Sequence, residues 1–118
     1  MKTLTKAEEQ VMMVLWKLGS GLLMEIVDSM ADPKPHKNTV ATILTILIDK
    51  EFVRTEKIGR IHRYHPLVSK EEYSKATLTG VVKGYFDGSF SNVVSFLVDE
   101  KKLSIHDLEL LLSQLKKK

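Results

Sequence analysis

A mostly α-helical fold with one small β-hairpin is what this sequence predicts, and three observations carry that expectation. Residues 38–50 are amphipathic at helical spacing: Val40, Ile43, Leu44, Leu47 and Ile48 share one stripe, and Thr39, Ala41, Thr42, Thr45 and Asp49 share the opposite one. Directly afterwards, Phe52 and Val53 lead into a strand, a turn near Ile58-Gly59, and a return strand through Ile61 and Tyr64. Two further helical patterns precede this block, each closed by glycine or proline. Short helices followed by a hairpin are the parts of a winged helix-turn-helix, in which the helix before the hairpin enters the DNA major groove.

The elements follow in order. Thr5 and Glu8 form a capping box, the threonine accepting from a backbone N–H and the glutamate reaching back. Ala7, Val11, Leu15 and Leu18, flanked by Met12, Val14 and Trp16, give the first helix a wide apolar face, and Gly19-Ser20-Gly21 stops it. A second short helix is expected over Leu22–Met30, with Leu23, Ile26, Val27 and Met30 inward, ended by Asp32-Pro33-Lys34-Pro35. The third begins near Lys37 or Asn38, with Asn38 as its expected cap.

A domain boundary is expected near Pro66-Leu67-Val68, giving a winged-helix domain over 1–68 and a helical region over 69–118. Ser69 with Glu72 repeats the capping box and opens a fourth helix through Tyr73, Ala76, Thr77 and Val81 to about Tyr85, before Asp87-Gly88-Ser89. Phe90 to Leu97 form a short, very apolar helix, and Ser104 with Asp107 opens a last one. Three short helices cannot easily bury that much Phe, Val and Leu alone. Self-association through Tyr73, Phe90, Val93, Val94, Leu97, Ile105, Leu108, Leu111, Leu112 and Leu115 is the simplest remedy, and packing back onto the N-terminal domain is the alternative.

Composition narrows the function classes. The chain has 118 residues, 43% apolar and 28% charged, with no cysteine, so disulfides and thiolate metal sites are excluded. No apolar run approaches the roughly 20 residues of a membrane span, and no signal-peptide layout opens the chain, so a cytoplasmic protein without a membrane partner is expected. His62 and His65 fall on opposite faces of a strand, wrong for a shared metal, and no histidine has the spacing of a triad. Gly80 and Gly84 lie in a helix without a phosphate-loop lysine. Neither enzyme chemistry nor a cofactor is expected.

Net charge is only +3, but its distribution is uneven. Residues 34–68 hold seven Lys and Arg against three acids, and also His36, His62 and His65. Positive charge thus gathers on the expected groove helix and hairpin, where a phosphate-facing surface needs it. Thr39, Thr42 and Thr45 are short enough to let a helix reach base edges, each offering a hydroxyl and a methyl. Lys37 suits a phosphate and Asn38 an adenine edge, while Arg54, Lys57, Arg60 and Arg63 supply the wing. Double-stranded DNA is the expected partner. A winged-helix interaction module, whose basic hairpin docks an acidic protein, is the alternative.

With these elements placed, the chain resembles the penicillinase-repressor family of winged-helix regulators, the BlaI/MecI/CopY type. The matching residues run from Leu4-Thr5 with Ala7-Glu8, Val11-Met12 and Leu15-Trp16, through Glu25-Ile26-Val27, to Thr39-Val40 with Thr42 and Leu44. Asp49-Lys50-Glu51-Phe52-Val53, Gly59-Arg60, Tyr64-His65-Pro66 and Tyr85-Phe86-Asp87-Gly88 extend the match along nearly the whole chain. The resemblance implies a homodimeric repressor on a palindromic operator, and, in several members, release when the protease of a membrane-sensor pathway cuts an Asn-Phe bond. The matching bond here is Ser95-Phe96, which keeps the Phe and lacks the Asn. Copper-responsive members carry cysteine ligands that this chain does not have, and a basic residue common on the groove helix is replaced by Ile46.

Overall fold

The computed structural model describes residues 2–116 and divides the chain into two units, Met1–Ala76 and Thr77–Lys118. The first holds α1 (Lys6–Leu18), β1 (Gly21–Leu22), α2 (Leu23–Asp28), α3 (Lys37–Asp49), β2 (Val53–Ile58) and β3 (Ile61–Pro66). The helix α4 (Lys70–Tyr85) begins in it, and the second unit continues with α5 (Phe90–Asp99) and α6 (Ile105–Lys116). The three strands form one antiparallel sheet in the order β1-β3-β2. This is a winged helix followed by short helices, the fold class that the periodicity implies. No helix among the described residues is long and apolar enough to cross a membrane.

Local signals explain most element ends. The Thr5 hydroxyl accepts from the Glu8 amide at 3.2 Å, and the Glu8 carboxylate accepts from the Thr5 amide at 3.0 Å, so the first capping box is present. Those at Ser69/Glu72 and Ser104/Asp107 are present as well. The glycine after α1, Gly19, takes φ 83° and donates to the Leu15 carbonyl. At the far end of α3, Glu51 donates to Ile48 O and Phe52 to Leu47 O, a Schellman ending with Glu51 itself at φ 67°. Leu47 and Phe52 are both buried, which supplies the apolar contact that such endings use.

Two expectations are corrected. The second helix is shorter than Leu22–Met30, because Gly21 and Leu22 are drawn into the sheet against Tyr64 and Arg63, and the Lys34 ammonium binds the carbonyls of Asp28 and Met30 beyond its other end. The cap of α3 is His36 rather than Asn38: its Nδ1 accepts from the Asn38 amide at 3.0 Å.

The core of the first unit joins Val11, Met12 and Leu15 of α1, Ile26 and Val27 of α2, and Val40, Leu44 and Leu47 of α3 to Phe52 and Val53. Tyr73 completes it, and this is a third correction. Expected at a dimer surface, it is only 8% exposed, with its ring 5.7 Å from Phe52 and 6.0 Å from Trp16 and its hydroxyl accepting from the Leu4 amide. The Trp16 indole N–H also reaches Val68 O at 2.8 Å. These ties carry the first unit past the boundary read at Val68, to Ala76.

The second unit buries little of its apolar surface. Val82 is buried and the rings of Phe86 and Phe96 meet edge-on at 5.6 Å, but α5 has no fully buried residue.

Candidate nucleic-acid interface

The third helix presents one face inward and one outward. Val40, Leu44 and Leu47 are fully buried, so Thr39, Thr42 and Thr45 are driven to the exposed side, where Ile46 joins them at 38% exposure. The Thr42 hydroxyl donates to Asn38 O at 2.9 Å and that of Thr45 to Ala41 O at 3.1 Å. Their hydrogens are thus turned into the helix, leaving oxygen lone pairs and methyl groups outward. Such a face accepts from base amino groups and touches thymine methyls, and Ile46 adds apolar surface to it. Sequence reasoning noticed Ile46 only as a missing cation. Asn38 is exposed in the first turn, its backbone amide bonded to His36.

Behind that face, α3 is held by an ion pair. Lys50, the residue that ends the helix, places its ammonium 2.6 Å from the Glu8 carboxylate and 3.1 Å from Thr3 O. The hydrogen bond from Lys50 holds the Glu8 carboxyl below its ordinary range, outweighing the opposing effect of burial, with the Thr5 amide assisting. The third helix is thereby fixed to the start of α1.

The wing is a tight ribbon. Ile58 faces Ile61, so only Gly59 and Arg60 form the loop, and Gly59 takes φ 64° at the first loop position, where a II′ turn favours glycine. The register pairs Lys57 with His62 on one face and Glu56 with Arg63 on the other. His65 lies 2.9 Å from Glu56 across that second face.

The seven cations of residues 34–68 divide into two groups. Lys34 closes the end of α2, Lys50 is paired with Glu8, and the Arg63 guanidinium lies 3.1 Å from Ser20 Oγ and 3.9 Å from Glu25. Arg63, expected among the DNA contacts, also ties the wing to the first unit's helices, because β3 runs beside β1. Lys37, Arg54, Lys57 and Arg60 are exposed and form no ion pair among the described residues.

The remaining site residues belong to the second unit. Phe90, Val94, Ile105, Leu111, Leu112 and Leu115 are exposed, while Val93, Leu97 and Leu108 are half-buried. Leu78 and Leu110 are exposed apolar residues that the sequence reading did not single out, and Val81 and Tyr85, read there as part of the fourth helix, are exposed as well. Ser95 and Phe96 lie in the middle of α5, Phe96 half exposed.

The penicillinase repressor family model matches residues 4–117. The chain belongs to the penicillinase repressor family. Among its relatives, the methicillin resistance regulatory protein MecI of Staphylococcus aureus (strain N315) is 26% identical, the match covering 98% of this chain and 94% of MecI. The penicillinase repressor of Bacillus licheniformis is 24% identical over 86% of this chain and 80% of its own length. The solution structure of the DNA-binding domain of the repressor BlaI superposes with a TM-score of 0.53 at 30% identity, covering 62% of this chain and 94% of that domain.

Proposed function

We propose that this chain is a cytoplasmic DNA-binding transcriptional repressor that acts as a homodimer on a palindromic operator. The observation that carries the reading is the outward threonine face of α3 on the same winged-helix unit as four exposed cations that form no ion pair among the described residues, Lys37, Arg54, Lys57 and Arg60. Short side chains let a helix approach base edges, and free cations neutralise phosphates. Membership of a repressor family supports the same reading. The exposed apolar residues of α5 and α6 supply a surface for a second copy, and a two-fold dimer sets two reading helices about one DNA turn, or a multiple of it, apart. For release from the operator, the proposed partner is a protease of a membrane-sensor pathway acting at Ser95-Phe96.

The test is a salt titration on duplex DNA. Neutralising four phosphates per protomer predicts a slope of log affinity against log salt of about −4 for one protomer and about −7 for two. A palindromic site from upstream of the chain's own gene should bind more tightly than mixed sequence at every salt concentration. Negligible duplex binding at low salt, with retention on an acidic protein instead, would favour the protein-docking alternative.

A further inference from the structure

The wing tip carries a feature that phosphate binding does not use. Ile58 and Ile61 face each other across the last rung of the ribbon, and they are 47% and 51% exposed. Lys57 and His62 occupy the opposite face of the tip, and Arg60 sits in the turn. A cross-strand pair of this kind stabilises a hairpin modestly. Here it leaves half of each side chain in water, at the end of the ribbon away from buried Val53.

We infer that Ile58 and Ile61 are an apolar seat for the wing on the sugar edge of the DNA minor groove, beside the phosphates met by Lys57 and Arg60. The inference rests on the DNA-binding reading above. The wall of that groove alternates anionic phosphate with the C–H surface of deoxyribose, and a tip with cations on one face and isoleucines on the other matches the alternation. Proteins that enter the minor groove commonly place apolar side chains there. Charge selects the occupant: Lys57 and Arg60 at the tip favour a polyanion, and a second wing brought tip to tip would set like charges together. Because apolar contact releases no counterions, its share of the affinity should not depend on salt.

The test compares the parent chain with an Ile58→Thr/Ile61→Thr double variant and an Ile58→Val/Ile61→Val double variant. Threonine and valine both suit a strand, but only valine keeps the apolar surface. Affinity for a labelled mixed-sequence duplex is measured across a range of salt, with thermal denaturation and sedimentation of each chain. The threonine pair should bind about tenfold more weakly at every salt concentration, its line parallel to the parent's, and the valine pair within about twofold of the parent, which in free energy is well under the 1.4 kcal/mol of a tenfold change. Self-association should be unchanged, and melting temperature should fall only slightly, by the modest share of the cross-strand pair. The inference is overturned if the threonine pair binds like the parent or if the slope changes with the affinity. It is equally overturned by weakened self-association, which would make the pair a protein contact, or by a matching loss of melting temperature, which would make it structural. A parent that binds no duplex at any salt removes the DNA-binding reading and this inference together, whereas a binding parent with an unaffected threonine pair removes the inference alone.

Discussion

At the scale of single residues, the cations between 34 and 68 show how little a charge count says about partners. Lys50 contributes to the same basic segment as Arg60, yet its ammonium lies 2.6 Å from the buried Glu8 carboxylate, and the Arg60 side chain is open to solvent. The two should therefore respond to mutation in unlike ways. Removing Lys50 leaves the Glu8 carboxylate without its cation in a partly buried position, so Lys50→Ala should lower the stability of the fold by about 1–2 kcal/mol. Glu8→Gln should cost less, because the amide oxygen still accepts from Thr5 and Lys50. The sign of the pH effect follows from the lowered Glu8 pKa. A carboxylate with a depressed folded-state pKa contributes fully above its unfolded value of about 4.3, and loses that contribution as pH falls through the lower folded value. Urea denaturation at a series of pH values should show the gap between parent and Glu8→Gln closing below about pH 4. Arg60→Ala should leave stability alone, weaken DNA binding about equally on all sequences, and reduce the salt slope by about one unit. Thr42→Val, which keeps a methyl and removes the outward lone pairs, should change base preference instead. If both variants lose affinity with no change in preference, the division between reading helix and wing is wrong.

At the scale of elements, starts marked by a capping box were easier to read in the sequence than an end without glycine. Each capping box lies within four consecutive residues, so Thr5/Glu8, Ser69/Glu72 and Ser104/Asp107 could be found without knowing the fold. The ending of α3 could not, because the left-handed position that usually advertises itself with glycine is filled by Glu51. Lys101 does the same after α5, at φ 59°. A side chain there is strained, so Glu51→Gly should raise stability by about 0.5–1 kcal/mol, the relief of strain exceeding the added freedom of the unfolded chain. Thermal denaturation checks this, and a lower melting temperature would mean that the Glu51 side chain has a stabilising role its backbone does not reveal. The two-residue strand β1 escaped for a different reason: its existence depends on Tyr64 and Arg63 some forty positions away. Tyr73 escaped likewise. Its helical spacing suited an apolar stripe of α4, and only the arrival of Leu4, Trp16 and Phe52 shows which apolar body it joins. The outward threonines were readable because the buried stripe of α3 fixes its opposite face, whereas the roles of Lys34, Lys50 and Arg63 depend on long or medium-range partners that periodicity does not specify.

At the scale of the whole molecule, the contrast is between a first unit with a filled core and a second unit whose helices leave Phe90, Ile105, Leu111, Leu112 and Leu115 open. Removing residues after Ala76 should give a folded monomer that still binds DNA but holds a palindromic operator far more weakly, since two linked half-site contacts reinforce each other through effective concentration. A full-length chain that sediments as a monomer at micromolar concentration would rule out the dimer. Induction follows from the same geometry. The Ser95-Phe96 bond lies inside α5, so its backbone is in regular hydrogen bonding, and a protease must first open that helix locally. Opening is made easier by the absence of any fully buried residue in α5, although association with a second copy would oppose it. A cut there would separate Phe96 and all of α6 from the rest of the chain, and with them most of the exposed apolar surface proposed for the dimer. Operator occupancy should then collapse while the winged helix stays folded, because what is lost is the second half-site contact and not the reading helix. Serine in place of the asparagine found at the family's cut site makes the bond itself the point to test. Mass spectrometry of the chain from induced cells should yield a fragment ending at Ser95; only intact chain during full derepression would show that release works without cleavage, leaving Phe96 as a packing partner of Phe86.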